Sequence, residues 1–320
     1  MPKSLDDKIS RSRMLLQNPY AYLNGEGGFD AAAQADLQEQ ISASRLLLEN
    51  PYAYLTGDGE YCASTSKRSA AAKEKAFEID VEQIRNPSML GKRVSFETIE
   101  GIVKRLQVAI WINRKAIWGE KAPDDPIQVL DPEIVFKAIG YTFESDRPLG
   151  EMIRANGTFE VAGLIDRSKR YVGISSQVPY AMRQFTAAHE LGHALLHRAE
   201  GLHRDRGLDG SPVPGPRARI EIEADKFATY FLMPSKLLIS EFEARFGPKP
   251  FLINDGTSFA LISDSSDALR GKVKNRRGLA RALADASYYG GARFLSLSER
   301  FRVSTEAMAI RLEELKLLEF

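Results

Sequence analysis

Apolar residues recur with helical spacing from Ile99 to Trp118, until the run Ala122-Pro123-Asp124-Asp125-Pro126 breaks the pattern; this predicts a helical segment followed by a boundary. Past Ile127 a short helix is expected near Pro132 to Ile139. Two β-like runs, Phe159 to Ile165 and Tyr171 to Ile174, then flank Asp166-Arg167-Ser168-Lys169-Arg170 and predict a hairpin. Pro179 suits a first helical turn and Gly201 a helix end, so one long helix is expected over 179–200. A further helical run starts at Arg219 and is stopped by Pro234. Together these predict an α+β fold: mostly helical, with a small β-sheet packed on the 179–200 helix and helical regions at both ends of the chain.

Upstream of these elements, residues 9–28 match residues 41–60 at 14 of 20 positions with an offset of 32. Each copy is an amphipathic run stopped by Asn-Pro, because proline disfavours helix in the residue before it, followed by Tyr-Ala-Tyr-Leu and a glycine turn. Two copies are too few for a solenoid. They read as a duplicated helical hairpin packing on the main body, or as a doubled docking motif whose tandem linkage raises avidity. Residues 63–75 have no apolar periodicity and read as a linker.

With 43% hydrophobic and 27% charged residues, the 320-residue chain has the composition of a folded globular protein of about two domains. Its 44 Lys plus Arg against 43 Asp plus Glu give a net charge of +1, so no global field draws it to nucleic acid or anionic lipid. No stretch approaches the roughly 18 apolar residues of a membrane span, and the start lacks the apolar core of a secretory signal. The lone Cys62 excludes an internal disulfide framework and fits a reducing compartment. A cytoplasmic location, without membrane partners, is expected.

All four histidines, His189, His193, His197 and His203, lie within 15 residues, and the first two belong to His189-Glu190-Leu191-Gly192-His193, an HExxH motif. Residues four apart on a helix share a face one turn apart, so two imidazoles can converge on one tetrahedral zinc ion with Glu190 beside the open position. Zinc lowers the pKa of water from about 15.7 towards 7, and an adjacent carboxylate can take that proton and hand it to a leaving amine. Glu190 is the candidate base.

A third ligand must come from elsewhere. The metzincin extension is excluded, since Leu196 and Ala199 stand where it needs Gly and His. His197 lies about 12 Å along a continuous helix from His189, too far to share its ion. The run from Arg219 offers Glu221, Glu223 and Asp225. Glu221 and Asp225, four apart, share a face, whereas Glu223 points some 200° away. The economical assignment makes Glu221 the third ligand and Asp225 the acceptor for a ligating histidine's other N–H; Glu223 as ligand is the alternative.

Phe185 to His197, followed 28 residues after His193 by Glu221-Ile222-Glu223-Ala224-Asp225-Lys226-Phe227-Ala228 and then Leu232-Met233-Pro234, resembles the ImmA/IrrE family of metallo-endopeptidases. The resemblance runs from about Asp131 to Leu238 and more weakly over Arg300 to Leu312; residues 1 to about 120 have no counterpart in it. It implies a gluzincin-like core, zinc held at His189, His193 and Glu221, a catalytic Glu190, and a substrate that is a co-encoded helix-turn-helix repressor. Cleavage would then derepress stress, mobile-element or phage-defence genes. The corresponding division of the chain is 1–66 (duplicated helical segment), 67–125 (linker and helical connector), 126–250 (zinc metallopeptidase core) and 251–320 (C-terminal helical region).

Three features stand outside that resemblance. Cys62 aligns with Asp30 of the first repeat, and its thiolate is a possible inhibitory zinc ligand that would keep the enzyme latent; the plainer reading is a free thiol. Arg270 to Arg281 carries six basic and no acidic side chains, a solvated surface or a site for a single-stranded DNA trigger. This basic run underlies the alternative function, a DNA-responsive regulatory protein that keeps a zinc peptidase fold with little proteolysis. Leu297 to Arg302 and Thr305 to Leu315, around Val303-Ser304, resemble half of a helix-turn-helix, and Glu306, Glu313 and Glu314 there favour packing or protein recognition over base reading. For the group that stabilises the oxyanion, Tyr180, Tyr230, His203 and Arg204 remain open.

Overall fold

The computed structural model describes residues 94–154, 157–197, 202–206 and 218–320, with the side chains of 152–159 and 202–206 outside the description. The internal repeat, the 63–75 linker and Cys62 therefore lie outside the described residues. The first described helix, α1 (Phe96–Ile112), starts at Ser95, whose side chain accepts from Thr98 N–H, and buries Ile99, Ile102, Val103, Leu106 and Ile110 along one face. After α2 (Arg114–Trp118), the Pro-Asp-Asp-Pro run leads into α3 (Pro132–Ala138), capped by Asp131 and opened by Pro132 at its first turn.

The sheet holds β1 (Thr142–Glu144), β2 (Glu151–Arg154), β3 (Gly157–Asp166), β4 (Tyr171–Ile174) and β5 (Leu202–Arg206). Its order is β1-β4-β3-β2, with β5 also on β3; β1 runs parallel to β4 and the other pairs are antiparallel. The β3–β4 pair is the hairpin expected from sequence. Its turn is fixed by Asp166, whose Oδ1 accepts from Ser168 Oγ at 2.6 Å and Lys169 N at 3.1 Å.

Against this sheet lies α4 (Tyr180–Leu196), buried from Phe185 to its end, and against α4 lies α5 (Arg219–Leu232). The contact between the two helices is close because of Gly192: a Cβ there would stand 3.0 Å from Ala224 Cα and 3.1 Å from Phe227 Cβ. Helix α4 is shorter than its sequence pattern suggested. It ends at Leu196, and His197 leaves it with extended backbone angles (φ −113°, ψ 147°). Arg167, from the β3–β4 turn, donates to the His193 carbonyl at 2.5 Å, so the last turn is capped by the sheet.

Helix α1 packs on the other side of α5. The buried Gln107 amide donates to the carbonyls of Tyr230 and Phe231, both at 3.0 Å, at the end of α5. The remaining helices are α6 (Ser235–Phe246), α7 (Asp255–Ile262), α8 (Ser266–Val273), α9 (Arg276–Asp285), α10 (Leu297–Arg300) and α11 (Thr305–Glu314), with a two-stranded β6 (Tyr288–Tyr289) and β7 (Ala292–Arg293) between α9 and α10. Arg311 of α11 is buried and donates to Met233 O at 3.3 Å and Ser235 Oγ at 3.0 Å, fastening the C-terminal helix to the Met-Pro turn after α5. Within the basic stretch, Arg277 pairs with Glu306 (2.7 Å) and Glu313 (2.5 Å), and Arg281 with Glu306 (2.5 Å). Arg270, Lys272, Lys274 and Arg276 are exposed. The fold is α+β, and among the described residues no helix is long and apolar enough to cross a membrane.

Replacing Gly192 with Val is expected to force α4 and α5 apart at a cost of about 1–3 kcal/mol. Urea unfolding of the variant should show a lowered midpoint; an unchanged one would mean that the two helices do not need this close approach.

Candidate metal centre

Helix geometry puts His189 and His193 one turn apart on the face of α4 that meets α5. Their Nε2 atoms are 3.0 Å apart. From α5, Glu221 brings Oε2 to 3.4 Å from His189 Nε2 and Oε1 to 3.7 Å from His193 Nε2. One ligand atom from each of the three residues lies within 4.8 Å of the others, a group that can hold a metal ion. Both imidazoles are buried, whereas Glu221 is partly exposed.

The protons on this donor set bear on whether a cation fits it. Asp225, one turn after Glu221, sets Oδ1 2.9 Å from His189 Nδ1. A carboxylate only accepts, so the His189 proton sits on Nδ1 and the Nε2 lone pair is bare. That lone pair faces a second ring nitrogen and a carboxylate. Converging electron pairs of this kind repel unless a positive charge lies between them, and two imidazoles with one carboxylate suit zinc. The residues present fit the group.

Glu190 is fully buried on the sheet side of α4. The β3 backbone reaches it so closely that a Cβ on Gly163 would lie 2.5 Å from its Oε1 and 2.7 Å from Thr186 Cγ2. Beside it stands Arg167, held below the usual arginine range by burial, while the charges of Tyr141 and Glu190 act in the opposite direction. Sequence reasoning passed over Gly163 and Arg167: a lone glycine in a strand and an arginine in a turn carry no readable signal of what they face.

Glu223 does not join the three donors. It is buried on another side of α5, where its Oε1 accepts from Arg219 Nε at 2.6 Å and Val94 N at 3.3 Å, and its Oε2 lies 3.1 Å from His197 Nε2. The alternative that made Glu223 a ligand therefore lacks geometric support. His197 also stays off the centre, its Nδ1 3.0 Å from His193 Nδ1. Burial pushes His197 below its ordinary pKa, outweighing the opposing hydrogen bond and charge of Glu223. The four-residue spacings from His193 to His197 and from Arg219 to Glu223 were legible, but not their meeting.

Of the residues considered for the oxyanion, Tyr230 is nine positions after Glu221 and so on the opposite face of α5, with Arg311 over its ring at 5.0 Å. Tyr180 is exposed at the start of α4, its hydroxyl 3.4 Å from Gln184 Nε2. His203 and Arg204 lie on β5, opposite Ile165 and Leu164 of β3, with side chains outside the description.

Protein stripped by chelation and titrated with Zn²⁺ is expected to bind one equivalent, and Glu221→Ala to weaken that binding by at least about 10-fold. Competition with a chromophoric chelator reads both; undiminished affinity in the variant would exclude Glu221 as a ligand.

Residues 152–248 match the model of a peptidase family described as an IrrE N-terminal-like domain. No curated protein matches the chain. The matched stretch contains the whole of α4 and α5 and the sheet surface under Glu190, and together with the convergent donors this similarity supports a metallopeptidase domain of the ImmA/IrrE type.

Proposed function

We propose that this domain is a zinc-dependent endopeptidase, acting in the cytoplasm, that cleaves a helix-turn-helix transcriptional repressor and so switches on the genes it holds silent. The observation that carries the reading is the meeting of the His189 and His193 ring nitrogens with the Glu221 carboxylate, one helical residue away from the buried Glu190. The chemistry that a zinc ion held by these donors would supply is that of a Lewis acid for a carbonyl and a bound water.

The chain's own residues do the rest. His189, His193 and Glu221 would hold the ion, and Asp225 holds the His189 ring in orientation through its Nδ1. Glu190 is the base: it takes a proton from the attacking water and passes it to the nitrogen of the departing amine. Gly163 leaves the space that its carboxylate occupies, and the positive charge of Arg167 acts on it from the turn. The repressor as substrate is supported by the similarity of residues 152–248 to the IrrE N-terminal-like peptidase domain.

The test is to mix zinc-loaded protein with the small repressor encoded beside it and follow fragments by mass spectrometry. Wild type should give a discrete cut, and Glu190→Gln should lose it by at least about 100-fold while keeping its zinc. An intact repressor in the presence of the zinc-loaded wild type, with and without single-stranded DNA, would overturn the substrate assignment. Gly163→Ala, which crowds Glu190 without touching the three donors, should cost about 100-fold in turnover at unchanged zinc content; full activity would show that the base tolerates displacement.

A further inference from the structure

We propose that His197 and Glu223 are positioning residues for the metal ligand His193, a two-link relay that keeps the His193 proton on Nδ1 and its Nε2 lone pair directed at the ion. The proposal rests on His193 being a ligand.

The geometry begins at Glu223. Its Oε1 is occupied by Arg219 Nε and the Val94 N–H, which leaves Oε2 for His197 Nε2 at 3.1 Å. Because a carboxylate donates nothing, the proton in this contact belongs to His197 Nε2. With Nε2 donating to Glu223, Nδ1 is the ring nitrogen of His197 left to accept, and this atom lies 3.0 Å from His193 Nδ1. Two bare nitrogens at that distance would repel, so His193 must supply the hydrogen from Nδ1. Its remaining lone pair is on Nε2, the atom 3.0 Å from His189 Nε2 and 3.7 Å from Glu221 Oε1.

Both rings and the Glu223 carboxylate are buried, where an unpaired polar atom is costly and a complete chain of hydrogen bonds is strong. The arrangement also shows why the two ligating histidines are served differently. Asp225 shares the Glu221 face of α5 and reaches His189 directly. Glu223 lies about 200° around the helix and needs an intervening imidazole to act on His193. That ring comes from His197, four residues after His193 and so one turn along the same face of α4. With both nitrogens of His197 engaged on the far side of His193, it is not itself a ligand.

Three variants of the full chain, His197→Leu, His197→Gln and His193→Ala, and the wild type should be stripped of metal and their Zn²⁺ affinities measured by chelator competition. The relay predicts that His197→Leu loses about 10–100-fold in affinity. His197→Gln should recover most of it, since an amide oxygen can accept from His193 while the amide N–H donates to Glu223. A role in packing alone would favour Leu over Gln, and that order of affinities would overturn the relay. Wild-type affinity in His197→Leu alongside lost binding in His193→Ala would overturn the relay and leave the ligand assignment standing, whereas unchanged affinity in His193→Ala would remove both. Should His197→Leu fail to fold, zinc-loaded wild type decides: a ¹⁵N–¹⁵N coupling through a hydrogen bond between His193 Nδ1 and His197 Nδ1 supports the relay, and its absence overturns it.

Discussion

Everything in the metal centre depends on how closely α4 and α5 approach each other. The three donors come from two helices separated in sequence, and a carboxylate on α5 reaches imidazoles on α4 only if the helix backbones nearly touch. Gly192 and Ala224 provide that contact. The same glycine lies between Glu190 and His193 in the motif, so the position that reads as an unspecified x in HExxH is constrained by packing. Burial of Phe227 and Phe231 on α5, each worth roughly 1.5–3 kcal/mol, helps hold the crossing in place.

The sheet acts on the opposite side of α4. Strand β3 shifts its register against β5 between Val161 and Gly163, and at Gly163 its backbone meets Glu190. The turn after β3 then returns with Arg167 to the last carbonyls of α4. One hairpin therefore sets both the position of the buried carboxylate and the point where the helix stops. His197, four residues after His193 and still bonded through its N–H to the His193 carbonyl, sets its ring against the His193 ring.

Much of this was legible in the sequence, for definite physical reasons. Period-two and period-3.6 patterns marked the hairpin and the two site helices, and the fixed rise of a helix made the pairing of His189 with His193, and of Glu221 with Asp225, computable by hand. The same arithmetic kept His197 off the donor set but gave it no partner, and it offered Glu223 only as an alternative ligand, not as the partner of His197. Contacts made between elements have no periodic signature: Gly163 under Glu190, Gln107 on the end of α5, and Arg277 with Glu306 and Glu313 could be found only in three dimensions. Repeat, linker and Cys62 fall outside the described residues.

A single 14-residue helix carries Glu221, Glu223 and Asp225, and with them three different duties. Such a segment moves as a rigid key. Sliding α5 by one turn, about 5.4 Å, would bring the shorter aspartate opposite the imidazoles in place of the glutamate and take the His197 partner away in the same movement. The tumblers are therefore lifted together or not at all, and any displacement of this helix would switch the centre as a unit instead of loosening one bond at a time.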